Sequence, residues 1–318
     1  MFRIQALKSF FEKVKNQNLS YFYAGLSILF WATVASAFKL GLRYFDYVSL
    51  LFFSVLSSFI CLFIIVLLSG NLRESLRYSL KQYLHSAILG LLTPTLYYLI
   101  LFKAYDLLPA QLAQPLNFTW PIVLVLLSAL INRTKIRGIN ILALFMSFIG
   151  VIFIASEGNW IKINLENSNG ILLALGSSVL WALYWIFNAR DKRKPEIKLF
   201  LNFLFASVFT GIIYFIYPDK SKINLYGMFG SIYVGLFEMG LTFIFWLKAV
   251  EYAQDTAKTG NLIYLTPFFS LLVISLVLNE NIYFTSVVGL IVIVAGILLQ
   301  QQVEINKRRM KNEKKQIS

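Results

Sequence analysis

Glu238 is the one carboxylate deep inside a long apolar run of this chain, with Gly235 and Thr242 about a turn away on either side. An acid at such depth is costly, so its default reading is functional. It can hold a bound amine, or take up and release a proton. A protonated, hydrogen-bonded structural Glu is the plain alternative. A second polar set lies in AQLAQPLNFTWPIVLVLL (residues 110–127), where Pro115 and Pro121 interrupt an apolar run. Each proline removes a helix hydrogen bond, and Gln111, Gln114, Asn117 and Pro121 recur at helical spacing on one face. Polar groups and broken backbone at membrane depth are tolerated where they face protein or water. That face is expected to line a cavity; a kink made for packing alone is the alternative. Asn261, Tyr264 and Pro267 form a similar set later in the chain.

Rings supply a third set. Trp181, Trp185 and Asn188 share a helix face, with Tyr184 beside it, and Trp31, Tyr97, Tyr98 and Trp120 lie in other apolar runs. Trp and Tyr usually gather at the interfacial belts, but these sit nearer the middle of their runs. Mid-run rings with polar tips suit an aromatic or apolar organic ligand through stacking and cation–π contact. Aromatic packing, in a chain that is 16% aromatic, is the competing account. No Ser/His/Asp set, Cys/His metal spacing or phosphate-cradling glycine loop is visible, so neither an enzyme, a metal site nor a prosthetic cofactor is expected. His85 reads as a solvated interfacial side chain, and Cys61 as packing.

The elements that carry these residues are membrane spans. Apolar residues make up 58% of the 318 and charged ones 14%, against about 25% charged in soluble domains. Ten apolar runs are long enough to cross the hydrocarbon, for which about 20 helical residues suffice. They cover roughly 21–41, 47–69, 84–104, 110–131, 138–156, 169–189, 198–217, 227–249, 257–278 and 283–301. The net charge of +14 is not a nucleic-acid signal, because Lys and Arg alternate between loops. With the N-terminus inside, 23 of the 29 fall in cytoplasmic segments and 6 outside. Both termini are therefore expected in the cytoplasm, with some affinity for anionic headgroups. Residues 1–18 carry no cleavable-signal pattern; Ile4, Leu7, Phe11 and Val14 share a face, so an interfacial amphipathic segment is expected. The basic tail, 303–318, reads as a solvated, disordered charge run. Lys103 with Asp106, and Lys248 with Glu251, read as interface anchors or local ion pairs, and Glu280 as a helix-terminal charge.

The second half repeats the first. Gly90, Lys103 and Ala104 recur as Gly235, Lys248 and Ala249, and Pro121 and Gly150 as Pro267 and Gly296. LLALGSSVLWALYWIFN (172–188) echoes AGLSILFWATVASAF (24–38), setting Trp31 against Trp181. Five spans per half is odd, so the second half must enter from the opposite side. The expectation is an all-α integral membrane fold of ten transmembrane helices in two inverted five-helix repeats, 19–156 and 169–302, joined by a polar linker, 157–168. Inverted halves with paired Pro-broken helices place a substrate site between them, near the bilayer midplane. Small-residue stripes agree: Gly170, Ala174, Ser178 and Ala182 in span 6, and Gly227, Ser231 and Gly235 in span 8, let helices approach closely.

These residues resemble the drug/metabolite transporter superfamily in its ten-helix EamA-type branch, over roughly residues 19–302. The likeness rests on LFWATVASAF (29–38), LNFTWPIVLVLLSA (116–129), LLALGSSVLWALYWIFN (172–188) and YLTPFFS (264–270). Within the branch it is similar to bacterial exporters of aromatic amino acids, which carry Tyr where this chain has Phe118. The resemblance implies a central cavity walled by spans 1, 3, 4, 6, 8 and 9, with Trp181 touching substrate. The expected substrate site is Trp31, Tyr97, Gln114, Asn117, Trp120, Trp181, Trp185, Asn261 and Tyr264, with Glu238 as amine holder or proton carrier. The expected activity is alternating-access transport of a small organic metabolite, an amino acid first and an aromatic one in particular, outward through the plasma membrane (the inner membrane of a Gram-negative cell). Other cargo, such as a nucleotide sugar, sugar phosphate or nucleoside, is the runner-up within transport. A non-transporting receptor or assembly protein is the rival outside it. The partners are then a small-molecule substrate and the lipid bilayer, with no nucleic acid; oligomeric state is not legible.

Overall fold

The computed structural model describes residues 15–133, 138–159 and 167–317, with side chains as far as residue 300 except residue 257. The expected amphipathic segment before residue 15 and most of the linker lie outside the described residues. Ten long helices run through the rest, and no strand occurs among the described residues. They are α1 (Gln17–Leu42), α2 (Tyr47–Leu68), α3 (Leu80–Leu107), α4 (Ala110–Ile131), α5 (Gly138–Ala155), α6 (Ser168–Asn188), α7 (Pro195–Ile216), α8 (Leu225–Tyr252), α9 (Lys258–Leu278) and α10 (Phe284–Ile317). The first nine are long and apolar enough to cross a bilayer, and the apolar part of α10 is the shorter stretch Phe284–Gln300. Leu, Ile, Val and Phe dominate their outer faces, and exposed residues such as Leu68, Phe215 and Ile216 suit lipid contact.

Polar residues fix where the helices start. Asn16 accepts from the Leu19 amide, Asn224 from Tyr226 and Gly227, and Asp46 from Val48 (2.8 Å) and Ser49 (2.9 Å). Each satisfies amides that the first helical turn leaves unpaired. Asp46 does more: its carboxylate also accepts from the Ser221 amide at 2.7 Å, and Ser221 Oγ accepts from the Asp46 amide. One residue thus joins the α1–α2 corner to the α7–α8 loop. Burial pushes the Asp46 carboxyl up, but the hydrogen bonds from Ser49 and Ser221 outweigh it and hold it below the usual carboxylate value.

Helix packing comes in matched pairs across the two halves. α1 lies against α8 and α9, as α6 lies against α3 and α4; α2 packs on α7 and α8, as α7 packs on α2 and α3; α5 packs on α10. Glycines set the close approaches. A Cβ at Gly90 would strike the Asn202 carbonyl of α7, and one at Gly235 the Ser54 carbonyl of α2. Between α5 and α10, a Cβ at Gly150 would lie 2.6 Å from the Gly289 carbonyl. Without a hydrophobic drive between helices in lipid, such backbone proximity is what holds them.

The breaks are matched as well. α3 carries a π-helical stretch at Leu91–Leu96 and α8 one at Gly235–Gly240, the same place in each repeat. α4 stops at Asn117 and restarts at Trp120, with Pro121 in the first turn of the new helix. α9 passes through a 3-10 turn, Leu262–Leu265, and restarts at Thr266 with Pro267 in its first turn. Proline is favourable there, where its missing N–H is not needed. Pro115 instead sits inside the first half of α4.

One expectation is overturned. The tail 303–318 reads as disordered, yet α10 continues as helix to Ile317. Glu, Lys, Arg, Gln and Met there are strong helix formers, and the span supplies a ready nucleus to extend from.

Asp46→Ala is expected to lower thermal stability by about 1–2 kcal/mol, read as a melting shift of purified protein. Because its folded-state acidity is raised, its contribution is complete above about pH 4 and disappears as the carboxyl protonates in more acid solution. A variant melting like wild type at neutral pH refutes the role.

Candidate functional site

Where the broken helices meet, a cavity of about 540 Å³ lies between the halves. That volume suits a small metabolite. Its walls come from α1 (Trp31, Val34, Phe38), α3 (Tyr97, Leu101, Tyr105), α4, α6 (Trp181, Trp185), α8 (Glu238, Trp246) and α9, with Gln300 of α10 at one end. Gln114, Asn117 and Trp120 project from α4, and Asn261 and Tyr264 from α9. All nine residues singled out for binding, and Glu238 with them, therefore line one space.

Trp181 is the hub of the rings. Its centroid is 4.6 Å from Tyr97, 5.8 Å from Phe243, 6.0 Å from Trp185 and 6.5 Å from Trp120. Trp31 stands 5.7 Å from Trp246 and meets Phe243 edge-on at 5.8 Å. The cage is thereby held from both repeats. Offset and edge-on pairs of this kind are the favourable arrangements of ring quadrupoles.

Hydrogen bonds fix the polar groups. Tyr98 donates to Glu238 Oε1 at 2.8 Å, and its ring lies 4.6 Å from that of Tyr97. Tyr97 donates to Asn117 Oδ1 at 3.2 Å, while Asn117 Nδ2 donates to Ser177 of α6 at 2.9 Å. Tyr105 donates to Gln114 Oε1 at 2.7 Å, which turns the Gln114 amino group toward donation. Trp185 Nε1 is buried without a hydrogen-bond partner among the described residues. The π stretch of α8 puts Glu238 where its repeat counterpart in α3 is Thr93, a residue with extended backbone angles. Such bulges often mark functional positions.

The two ends differ. At the α3–α4 corner, Lys39 donates to the carbonyls of Tyr105 (2.7 Å) and Leu108 (3.0 Å). Glu280 accepts from the amides of Ala110 (3.0 Å) and Gln111 (3.1 Å). A cation on the end of one helix and an anion on the start of the next both match the helix dipoles, and close this corner. At the other end the lining extends past Val125 and Trp246 to Thr256 and Gln300, so the cavity reaches toward the α8–α9 connection.

Two expectations about faces need correction. Gln111 does not line the cavity: its amide donates to the Asn281 carbonyl and accepts from the Tyr283 amide, both at 2.8 Å. It lies a turn beyond the cavity, beside a loop whose backbone needs partners. Asn188 is likewise absent from the cavity wall. It is about two helical turns below Trp181, and its carbonyl faces Lys198. Of the lysine pairs, Lys103 bonds Asp106 at 2.8 Å and stands over the Tyr47 ring, and Lys248 stands over the Tyr23 ring. Trp246 escaped sequence reasoning, although it continues the Glu238–Thr242 spacing by one more turn. Tyr105 and Phe38 gave no comparable signal. Among the described residues no group of His, Cys, Asp or Glu could hold a metal ion.

Ten helices, two of them broken opposite one another around a polar and aromatic cavity, define a multi-pass membrane protein with a small-molecule site. The EamA-like transporter family matches residues 18–156 and 168–300, and the chain belongs to that family, within the drug/metabolite transporter superfamily. An uncharacterized transporter of Archaeoglobus fulgidus is 26% identical over 285 residues, 86% of this chain and 94% of its own. The uncharacterized transporter YvbV of Bacillus subtilis is 26% identical over 75% of this chain and 77% of its own. The aromatic amino acid exporter YddG of Ancylobacter novellus is 23% identical over 56% of this chain and 62% of its own. A solved crystal structure shares the fold, with TM-score 0.62 and 20% identity over 91% of this chain and 98% of its own.

Removing the Tyr98 hydroxyl takes away the only protein hydrogen bond to Glu238 among the described residues. Tyr98→Phe is expected to cost about 1–3 kcal/mol of stability and to cost more than Glu238→Gln, which keeps an acceptor for Tyr98. Thermal melts of the two purified variants check the order; a smaller loss in Tyr98→Phe contradicts it.

Proposed function

We propose that this chain moves a small organic metabolite outward across the plasma membrane (the inner membrane of a Gram-negative cell) by alternating access. Its cargo carries an aromatic or apolar body and an amine. Amino acids have that form, aromatic ones above all, and the likeness to an aromatic amino acid exporter supports the class. The observation that carries the reading is the gathering of Trp31, Tyr97, Gln114, Asn117, Trp120, Trp181, Trp185, Glu238, Asn261 and Tyr264 around one cavity between the repeats.

The matched packing partners of α1 with α6, α2 with α7 and α5 with α10 support halves related by a two-fold axis in the membrane plane. Two such bundles can exchange conformations and open to either side. With both termini cytoplasmic, the corner closed by Lys39 and Glu280 faces outward, and the cavity reaches toward the cytoplasm. Cargo would then bind from inside, beneath a closed outer corner. Phosphorylated cargo such as a nucleotide sugar is disfavoured, since no Lys or Arg is among the lining residues. A receptor would have no use for paired breaks in matching helices.

Purified protein in liposomes is expected to carry at least one member of a panel of amino acids and organic amines, and no flux with any of them refutes transport of this class. Trp181→Ala is expected to abolish that flux with folded yield retained; undiminished flux removes Trp181 from the site. A cysteine placed at Ser318 in a Cys61→Ser background should resist an impermeant thiol reagent added outside the cell. Labelling from outside overturns the orientation.

A further inference from the structure

Charge in the cavity is one-sided. Five of the chain's six tryptophans line it, Trp31, Trp120, Trp181, Trp185 and Trp246, together with one carboxylate. No Lys, Arg or His is among the lining residues. Cations on the helices that wall it have other contacts: Lys39 donates to two backbone carbonyls, Lys103 pairs with Asp106, Lys248 stands over the Tyr23 ring, and Lys258, between the lining Thr256 and Gly260, pairs with Asp255 at 4.0 Å.

Glu238 is held ready for a partner. Tyr98 occupies its Oε1, while Oε2 has no protein partner among the described residues. The same Tyr98 places its ring edge-on to Trp181, 6.5 Å away, so the carboxylate and the tryptophan cage are adjacent parts of one wall. A buried carboxylate beside tryptophan faces is the complement of an organic cation: the ion pair offsets the desolvation of both charges, and the ring quadrupoles attract the ammonium or its alkyl groups. A zwitterion fits less well. Its own carboxylate would enter a space whose lining offers only neutral donors, such as the Gln114 amino group, and would lie near Glu238, whose like charge repels it.

We infer that the site recognises the amine of its cargo and not the carboxylate, so that its preferred ligands are monocationic arylalkyl amines, bound more tightly than the corresponding amino acids. This rests on the transport reading and narrows it: the body of the cargo is read by the five tryptophans, and its charge by Glu238.

Calorimetric titration of the full-length purified protein at pH 8 tests the order of three indoles of similar size: tryptamine (a cation), tryptophan (a zwitterion) and indole-3-acetate (an anion). Tryptamine is expected to bind at least about tenfold tighter than tryptophan, with no measurable heat from indole-3-acetate. Glu238→Gln is expected to erase the gap between tryptamine and tryptophan; if that variant fails to fold, the wild-type order alone decides. Tryptophan binding as tightly as tryptamine, or more tightly, overturns the inference. Tryptophan flux in liposomes alongside such an order leaves the transport reading standing without this refinement. Binding of none of the three, with no flux across the wider panel, removes both.

Discussion

A peptide group inside a bilayer has no water to bond to, so each N–H and C=O must find its partner within the protein. This constraint governs where the ten helices can be irregular. The π stretch of α8 and the interruptions of α4 and α9 each put residues on the cavity wall (Glu238; Asn117 and Phe118; Ile263 and Tyr264), and the π stretch of α3 ends one residue before the lining Tyr97. Broken backbone and open space occur together because each makes the other tolerable. The breaks free the chain to turn amides and rings inward, and the cavity lets those groups meet a ligand or water instead of hydrocarbon.

Close packing holds the broken parts in place. Gly90 and Gly235 let α3 and α8 press against the backbones of α7 and α2 where their π stretches begin. The charged contacts divide between the two ends. Asp46 with Ser221, and Glu280 with the start of α4, tie loops at one end of the bundle. At the opposite end, buried Arg193 and Asp191 pair at 2.6 Å, and Arg193 reaches Ser86 at the start of α3. Burial pushes the Asp191 carboxyl up, but the Arg193 guanidinium more than reverses this.

Much of this arrangement was legible in the sequence, for a physical reason. Spans must be apolar and about 20 residues long, so their number and order survive in composition alone. Polar residues inside them are rare enough that Asn117, Asn261 and Glu238 stand out one by one. Pro121 and Pro267 marked the breaks, because a repeated proline in a span has few other uses. Rotational detail was less visible. Gln111 and Gln114 are nearly a turn apart on one face, yet one serves a loop and the other the cavity; spacing carries direction but not depth along the axis. Trp246 drew no reading, since it lies near the end of its span, where rings are common whatever they do. The π stretches have no composition signature, since Leu91–Leu96 and Gly235–Gly240 differ in almost every residue. The helical tail beyond residue 300 was missed because charge density was weighed above helix propensity and the span already in place to extend.

Water access to the two breaks is the most direct measure of the central claim. In membranes carrying a Cys61→Ser background, single cysteines at Asn117, Asn261 and the lipid-facing Leu272 can be exposed to a small water-soluble thiol reagent. The account predicts that positions 117 and 261 react and that 272 does not. Unreactive cysteines at both breaks, in protein that remains folded, would mean that the kinked helices enclose no aqueous space, and the cavity would have to be abandoned.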